Sequence, residues 1–176
     1  MTSEERKQKI EEYASAHDQL VIALKGVPRE AWQYKPGPER WSIHEIILHI
    51  ADSEVNSYVR CRRFIAEPGL SVMAYDENRW AKELNYHDQL TDDAVALLKF
   101  LRQMSYRLIK SLPESAWSNT VEHPENGTMT LDDWLEIYTN HIPEHIRQIQ
   151  ETHNAWVAEQ KGHAPDPEKS LFKFVK

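Results

Sequence analysis

Apolar residues return every three or four positions along most of this chain, and runs that alternate with period two are scarce, so the pattern predicts helices throughout. A first helix is predicted from Ser3 to Lys25, with Ile10, Tyr13, Ala14, His17, Leu20, Val21 and Leu24 on its inner stripe and Gly26 and Pro28 ending it. The connection GVPREAWQYKPGPER is rich in Pro and Gly and reads as a loop with one short turn around Glu30 to Gln33. A second helix starts at Trp41-Ser42-Ile43-His44-Glu45, where Ser42 is the N-cap and Glu45 completes a capping box. It runs to about Ala66, ahead of Pro68-Gly69, with Ile43, Ile46, Ile47, Ile50, Tyr58, Cys61 and Ile65 on its apolar side.

Residues 70–90 are the least regular part, with a short helix expected from Glu77 to Leu84. Thr91 is expected to cap a third long helix, from Asp92 to about Ser111, whose stripe is Ala94, Leu97, Leu98, Leu101, Met104, Ser105, Leu108 and Leu112. Ser118 to Met129 reads as a turn or short hairpin around Asn126-Gly127. Thr130 caps the last and longest helix, which runs to Gln160 with Asp132 and Asp133 in its first turn, where the helix dipole favours acidic groups. The tail SLFKFVK alternates apolar and basic residues and is expected to pack back as an arm or at a dimer contact. No repeat or linker divides the chain, so residues 1–176 are expected to form a single domain. Four long amphipathic helices, with a long crossover between the second and third, predict an all-α four-helix bundle.

Composition narrows the function classes. A net charge of −7 gives no support to a nucleic-acid partner or a polybasic membrane anchor. No apolar run approaches the length of a membrane span, and the N-terminus MTSEERKQKIEE has no apolar signal region, so a cytoplasmic location is the default expectation. The one cysteine, Cys61, excludes an internal disulfide framework and a cysteine-based zinc ribbon. Its place on an apolar stripe predicts a buried thiol.

The chemistry lies in the histidines, of which there are nine. His141 and His145 are one helical turn apart, which puts their Cβ atoms roughly 5–6 Å from each other. They line up with Trp134, Tyr138 and Ile149, so both imidazoles are expected to point inward. A single inward histidine is most simply a core residue satisfied by a hydrogen bond. Two together are costly to bury without a shared purpose, and can hold two corners of a metal site. His17 and His49 also fall at inward or near-inward positions. His87, His123 and His163 fall in loop segments and are expected in solvent, His44 is expected to be exposed, and His153 is a neighbour or rim residue. HEIILH, His44 to His49, is not a zincin helix, because five-residue spacing puts the two rings about 140° apart. No histidine has a Glu three residues before it, as a ferritin-like di-iron bundle requires, and there is no P-loop, GxGxxG or G-x-S-x-G elbow. Pro143, between the paired histidines, removes the donor for the Thr139 carbonyl and is expected to kink the helix and widen the bundle there.

The run W-S-I-H-E-I-I-L-H-I-A-D-S-E, Trp41 to Glu54, resembles the helix-two signature of the DinB-like superfamily, which includes proteins similar to bacillithiol S-transferases and mycothiol-dependent isomerases. N-H-I-P-E-H-I-R-Q-I, Asn140 to Ile149, resembles the H-x-x-x-H-x-x-Q-I pattern of that family's last bundle helix. The resemblance implies an up-down-down-up bundle, often a homodimer, holding one divalent metal per chain on three histidines. Here those positions are His49, His141 and His145. Some thiol-transferase members carry His where this chain has Glu54. Three imidazoles leave a metal with an open position, and they suit Zn, Ni, Fe and Cu alike. The implied activity is hydrolysis of a small-molecule substrate, or transfer of a low-molecular-weight thiol to an electrophile. The alternative is a non-catalytic bundle that binds a small molecule or protein partner around a vestigial site. Asp52 and Glu144 are the nearest acidic candidates to orient the ligand rings. Arg60, Arg62 and Arg63 could attract the carboxylates of a thiol, but read first as a solvated charged face.

Overall fold

Four long helices and one hairpin make up most of the regular structure of residues 1–162, the part of the chain that the computed structural model describes. The tail SLFKFVK and His163 lie outside the described residues. The order is α1 (Ser3–Lys25), α2 (Ile43–Ala66), a short α3 (Glu77–Glu83), α4 (Thr91–Ile109), a hairpin of β1 (Thr120–His123) and β2 (Gly127–Thr130), and α5 (Leu131–Gln160). Three of the long helices open with a reciprocal capping box, Thr2 with Glu5, Ser42 with Glu45 and Thr130 with Asp133, each satisfying two otherwise orphaned N–H groups. Thr91 is not a cap. It is the first residue of α4, and its hydroxyl accepts from Arg29 at 3.3 Å. Pro143 does not end α5, which continues through it.

Contacts along the helices give their directions. Arg6 pairs with Asp132 at 2.7 Å and Lys9 with Glu136 at 2.7 Å, so α1 and α5 run in parallel. Glu54 pairs with Arg102, and Arg62 reaches Ser105, so α2 and α4 are also parallel. Arg60 bonds to Tyr138 while His49 lies against His145, so α2 and α5 are antiparallel. This is the up-down-down-up bundle. Because α2 and α4 share a direction, residues 67–90 must travel back along its length. That crossover begins beside the hairpin: Gly69 N–H donates to the Thr120 carbonyl at 2.8 Å and Val72 N–H to the Glu122 carbonyl at 2.9 Å.

The core consists of two apolar clusters with a polar seam between them. One contains Leu20, Ile46, Ile50, Leu98 and Ile142, the other Ile10, Phe64, Ile109, Trp134 and Leu135. At the seam Arg102 and Glu54, each 1% exposed, form an ion pair at 3.0 Å. The Tyr13 hydroxyl donates to Glu54 at 2.5 Å, and Arg102 donates to the carbonyls of Tyr13 at 2.8 Å and Tyr138 at 2.7 Å. One guanidinium thus joins all four long helices. Its burial explains why the stripe predicted for α4 is rotated. The buried face is Thr91, Ala94, Leu98, Arg102, Ser105 and Ile109, whereas Leu97 and Met104 are exposed. Counting apolar residues alone leaves out the arginine at the centre of the face.

Candidate metal centre

α2 and α5 bring His49, His141 and His145 together. Each offers a nitrogen, and the three lie within 4.8 Å of one another. His49 is in the second turn of α2, 1% exposed, and packs its ring 4.6 Å from that of Trp41. His141 and His145 sit on successive turns of α5, their ring centroids 4.5 Å apart and nearly perpendicular at 81°. Tyr138, one turn earlier, packs 5.9 Å from His141.

The hydrogen bonds assign the proton on His145. Its Nδ1 donates to the amide oxygen of Gln148 at 2.8 Å, so Nε2 carries the lone pair. That Nε2 is 3.2 Å from Nε2 of His141. Two nitrogens on one tetrahedral zinc, each roughly 2.0–2.1 Å from it, stand ~3.3 Å apart. Burial holds all three imidazoles well below their ordinary range, His145 at about 4, so all are neutral at pH 7, as ligands must be. Nδ1 of His49 and Nδ1 of His141 are buried with no hydrogen-bond partner among the described residues. Three neutral, converging nitrogens, two of them at ligand spacing, fit a divalent ion and leave it an open position.

The other sequence candidates fall elsewhere. His17 bonds to Asp18 and is not part of the cluster. His44 is not exposed: its Nε2 donates to the Tyr86 carbonyl at 2.9 Å, on the crossover. His87 bonds to Gln33 at 2.7 Å and lies 3.1 Å from Glu45. His123 is buried beneath the hairpin, contrary to its reading as a loop residue. Of the proposed orienting carboxylates, Glu144 is exposed and lies 3.9 Å from Arg147. Asp52 accepts from the Tyr86 hydroxyl at 2.5 Å; burial raises its carboxyl above the ordinary range and the tyrosine bond opposes this. Orientation of His145 falls instead to Gln148, missed as a functional residue although its i,i+3 spacing from His145 and its place in the H-x-x-x-H-x-x-Q-I pattern both marked it. Glu54 is occupied by Arg102 and Tyr13. A groove of about 520 Å³ between α1, α4 and the first loop contains none of the three histidines.

The family model for the DinB superfamily matches residues 12–149, from the middle of α1 through His145 and Gln148. The chain belongs to the DinB superfamily. Within it, the chain is 28% identical over 109 residues to protein OB0782 of Oceanobacillus iheyensis, covering 62% of this chain and 63% of that one. It is 28% identical over 112 residues to YfiT of Bacillus subtilis, 63% of each chain. Both relatives carry names that place them provisionally among metal-dependent hydrolases, and in both the match spans less than two thirds of their length. The solved YfiT structure, described as a four-helix bundle of unusual topology, superposes over 93% of this chain and 91% of its own with a TM-score of 0.81 at 22% identity. A DinB-like protein of Bacillus subtilis, YjoA, gives 0.54 at 15% identity over 91% of this chain and 96% of its own. The DinB fold accounts for the bundle, and no helix among the described residues is long and apolar enough to cross a membrane.

Proposed function

We propose that the chain is a metal-dependent hydrolase that holds one divalent ion, Zn, Ni or Fe, on His49, His141 and His145 and acts on a small-molecule substrate. The observation that carries this reading is the pair of Nε2 atoms of His141 and His145, 3.2 Å apart with a third imidazole beside them. The names of the DinB relatives agree with it.

The ion would supply Lewis acidity to an oxygen or sulfur ligand in its open position. The protein supplies the rest. Burial keeps the three rings deprotonated near neutral pH. Gln148 fixes the tautomer and rotation of His145, and Trp41 packs against the ring of His49. Asp52, one turn beyond His49 on α2 and bonded to the Tyr86 hydroxyl, is the carboxyl we assign to proton transfer there. Transfer of a low-molecular-weight thiol is the second chemistry such an ion supports, and its support is the family resemblance alone. A soluble homodimer in the cytoplasm is the setting proposed for the enzyme.

Elemental analysis of protein purified without chelator tests the first step. About one ion per chain, lost in both His49→Ala and His141→Ala variants, is the expected result. No bound metal after reconstitution with several divalent ions would refute the reading and turn the bundle into a non-catalytic binding module. A screen of esters and amides with and without small thiols then separates hydrolase from transferase, since the hydrolase needs no thiol.

A further inference from the structure

A second polar feature lies one side chain away from the histidines and serves none of the roles assigned above. Under the hairpin, a cavity of about 60 Å³ is lined by Arg60, His123, Trp134 and Tyr138 together with apolar residues such as Phe64 and Val121. That is several times the ~10–15 Å³ one water requires. Asn126 also lines it, but the buried polar side-chain atoms there that lack a partner are donors. The Trp134 side chain is 1% exposed and its Nε1–H is buried with no acceptor among the described residues. Nε of Arg60 is likewise buried and unpartnered. The other two nitrogens of Arg60 donate to neutral oxygens, the Tyr138 hydroxyl at 3.0 Å and the Met73 carbonyl at 2.5 Å. No carboxylate lies within ion-pair distance of Arg60 among the described residues, and Glu77 feels its charge without bonding to it.

His123 completes the set. Its Nδ1 accepts from the backbone N–H groups of Glu125 at 3.2 Å and Asn126 at 3.4 Å. A neutral ring accepting there carries its proton on Nε2 and is a third donor. Burial, reinforced by the nearby Arg60 charge, holds the ring in this neutral form. Glu77 and Glu125 lie in the field of the same charges, with partial burial and the Glu125 charge raising the Glu77 carboxyl and Arg60 lowering it, but neither bonds to any of the three donors. Buried donors without acceptors cost free energy, and an uncompensated guanidinium costs more, unless a ligand supplies the missing negative oxygen.

We infer that this cavity binds a carboxylate, held by Arg60 with the indole N–H of Trp134 and Nε2–H of His123. Guanidinium and carboxylate match in charge and planar geometry, and the volume suits a carboxylate head with little more attached. Tyr138 joins the cavity to the histidines: its hydroxyl accepts from Arg60 and its ring packs against His141. A carboxylate here therefore stands one aromatic ring away from the imidazole cluster. The inference does not depend on metal binding, because the donors belong to a separate cavity.

The test uses the full chain, freed of metal by chelator so that no ion competes for the anion, and acetate and formate as ligands. Six tryptophans give six indole N–H resonances, and the one missing in Trp134→Phe identifies Trp134. The expected result is a saturable shift of that resonance on adding acetate or formate at constant ionic strength, with the other indoles unmoved. Affinity is expected to fall about tenfold in Trp134→Phe, measured by calorimetry, as one hydrogen bond to a charged group is lost. In Arg60→Gln the shift is expected to vanish while the dispersion of the remaining indoles shows the fold intact. A longer monocarboxylate that binds more tightly and also shifts His141 would identify the ligand as the acid end of a substrate. Equal binding of acetate would identify a separate small anion. No saturable shift, the same shift with chloride, or an unchanged shift in Arg60→Gln would overturn the inference and leave the cavity to water.

Discussion

His145 gives its Nδ1 proton to Gln148 at 2.8 Å, and this one bond fixes which nitrogen it turns towards His141. The bond lies within a single helix, so no other element supplies its partner. Replacing Gln148 with Leu frees the ring to rotate and to change tautomer. Metal affinity is expected to fall roughly 10–100-fold, as when other partners that orient a ligand are removed. Competition against a chromogenic chelator measures it, and an unchanged affinity would show that His145 is held by packing alone.

The metal-free protein is expected to lose stability in mild acid. His145 has its proton affinity lowered from an ordinary 6.5 to about 4 in the fold, and His49 and His141 are also lowered well below it, all chiefly by burial. Between those values the unfolded chain binds more protons than the folded one, so stability rises with pH and is lost as pH falls from about 6.5 towards 4. The loss from His145 at pH 5 is about 2 kcal/mol. Urea midpoints of chelated protein at pH 7.5 and pH 5 measure it, and added metal is expected to raise the midpoint at both, because the folded rings are still neutral at pH 5.

Arg102→Leu strands the carboxylate of Glu54 and leaves the carbonyls of Tyr13 and Tyr138 without their shared donor. A destabilisation of about 3–5 kcal/mol is expected from breaking a buried pair on one side. The double variant Glu54→Leu with Arg102→Leu is expected to recover part of it, since no charge is then buried alone. Denaturant unfolding of the single and double variants forms the cycle that checks this.

Tyr86→Phe removes the hydroxyl donated to Asp52. The half-buried carboxyl then keeps the burial that raises its proton affinity and loses the bond that opposes it. Its titration is expected to move to higher pH, read from the Asp52 side-chain carbon shift in NMR, with the four long helices unchanged in circular dichroism.

The helices were legible because their signals are local. Ser42 with Glu45 and Thr130 with Asp133 cap where the sequence places them, and the pair His141 and His145 follows from spacing on one helix. His49 required the family resemblance, since its own spacing to His44 places the two rings on different faces. What stayed hidden depends on partners far along the chain. Arg6 and Arg102 are charged residues that count against burial in any hydrophobic tally, yet both are buried by acids or carbonyls from other helices. His123 looked like a hairpin residue in water; it is buried because residues 69–72 of the crossover pair alongside β1, a contact no local pattern announces.

The crossover is pinned towards both of its ends. Gly69 and Val72 bond to β1, and Tyr86 bonds through its hydroxyl to Asp52 and through its carbonyl to His44. The register of the four long helices is set elsewhere, by the capping boxes, the two apolar clusters and the guanidinium of Arg102. Within residues 73–85 most positions are exposed and can change character without moving the three imidazoles, while Trp80 and Ala81 pack on the apolar cluster that holds Ile142 and are held to it. Such a bundle behaves as a chassis with an exchangeable skin: the exposed crossover positions can be rewritten while the histidine cluster stays where the long helices put it.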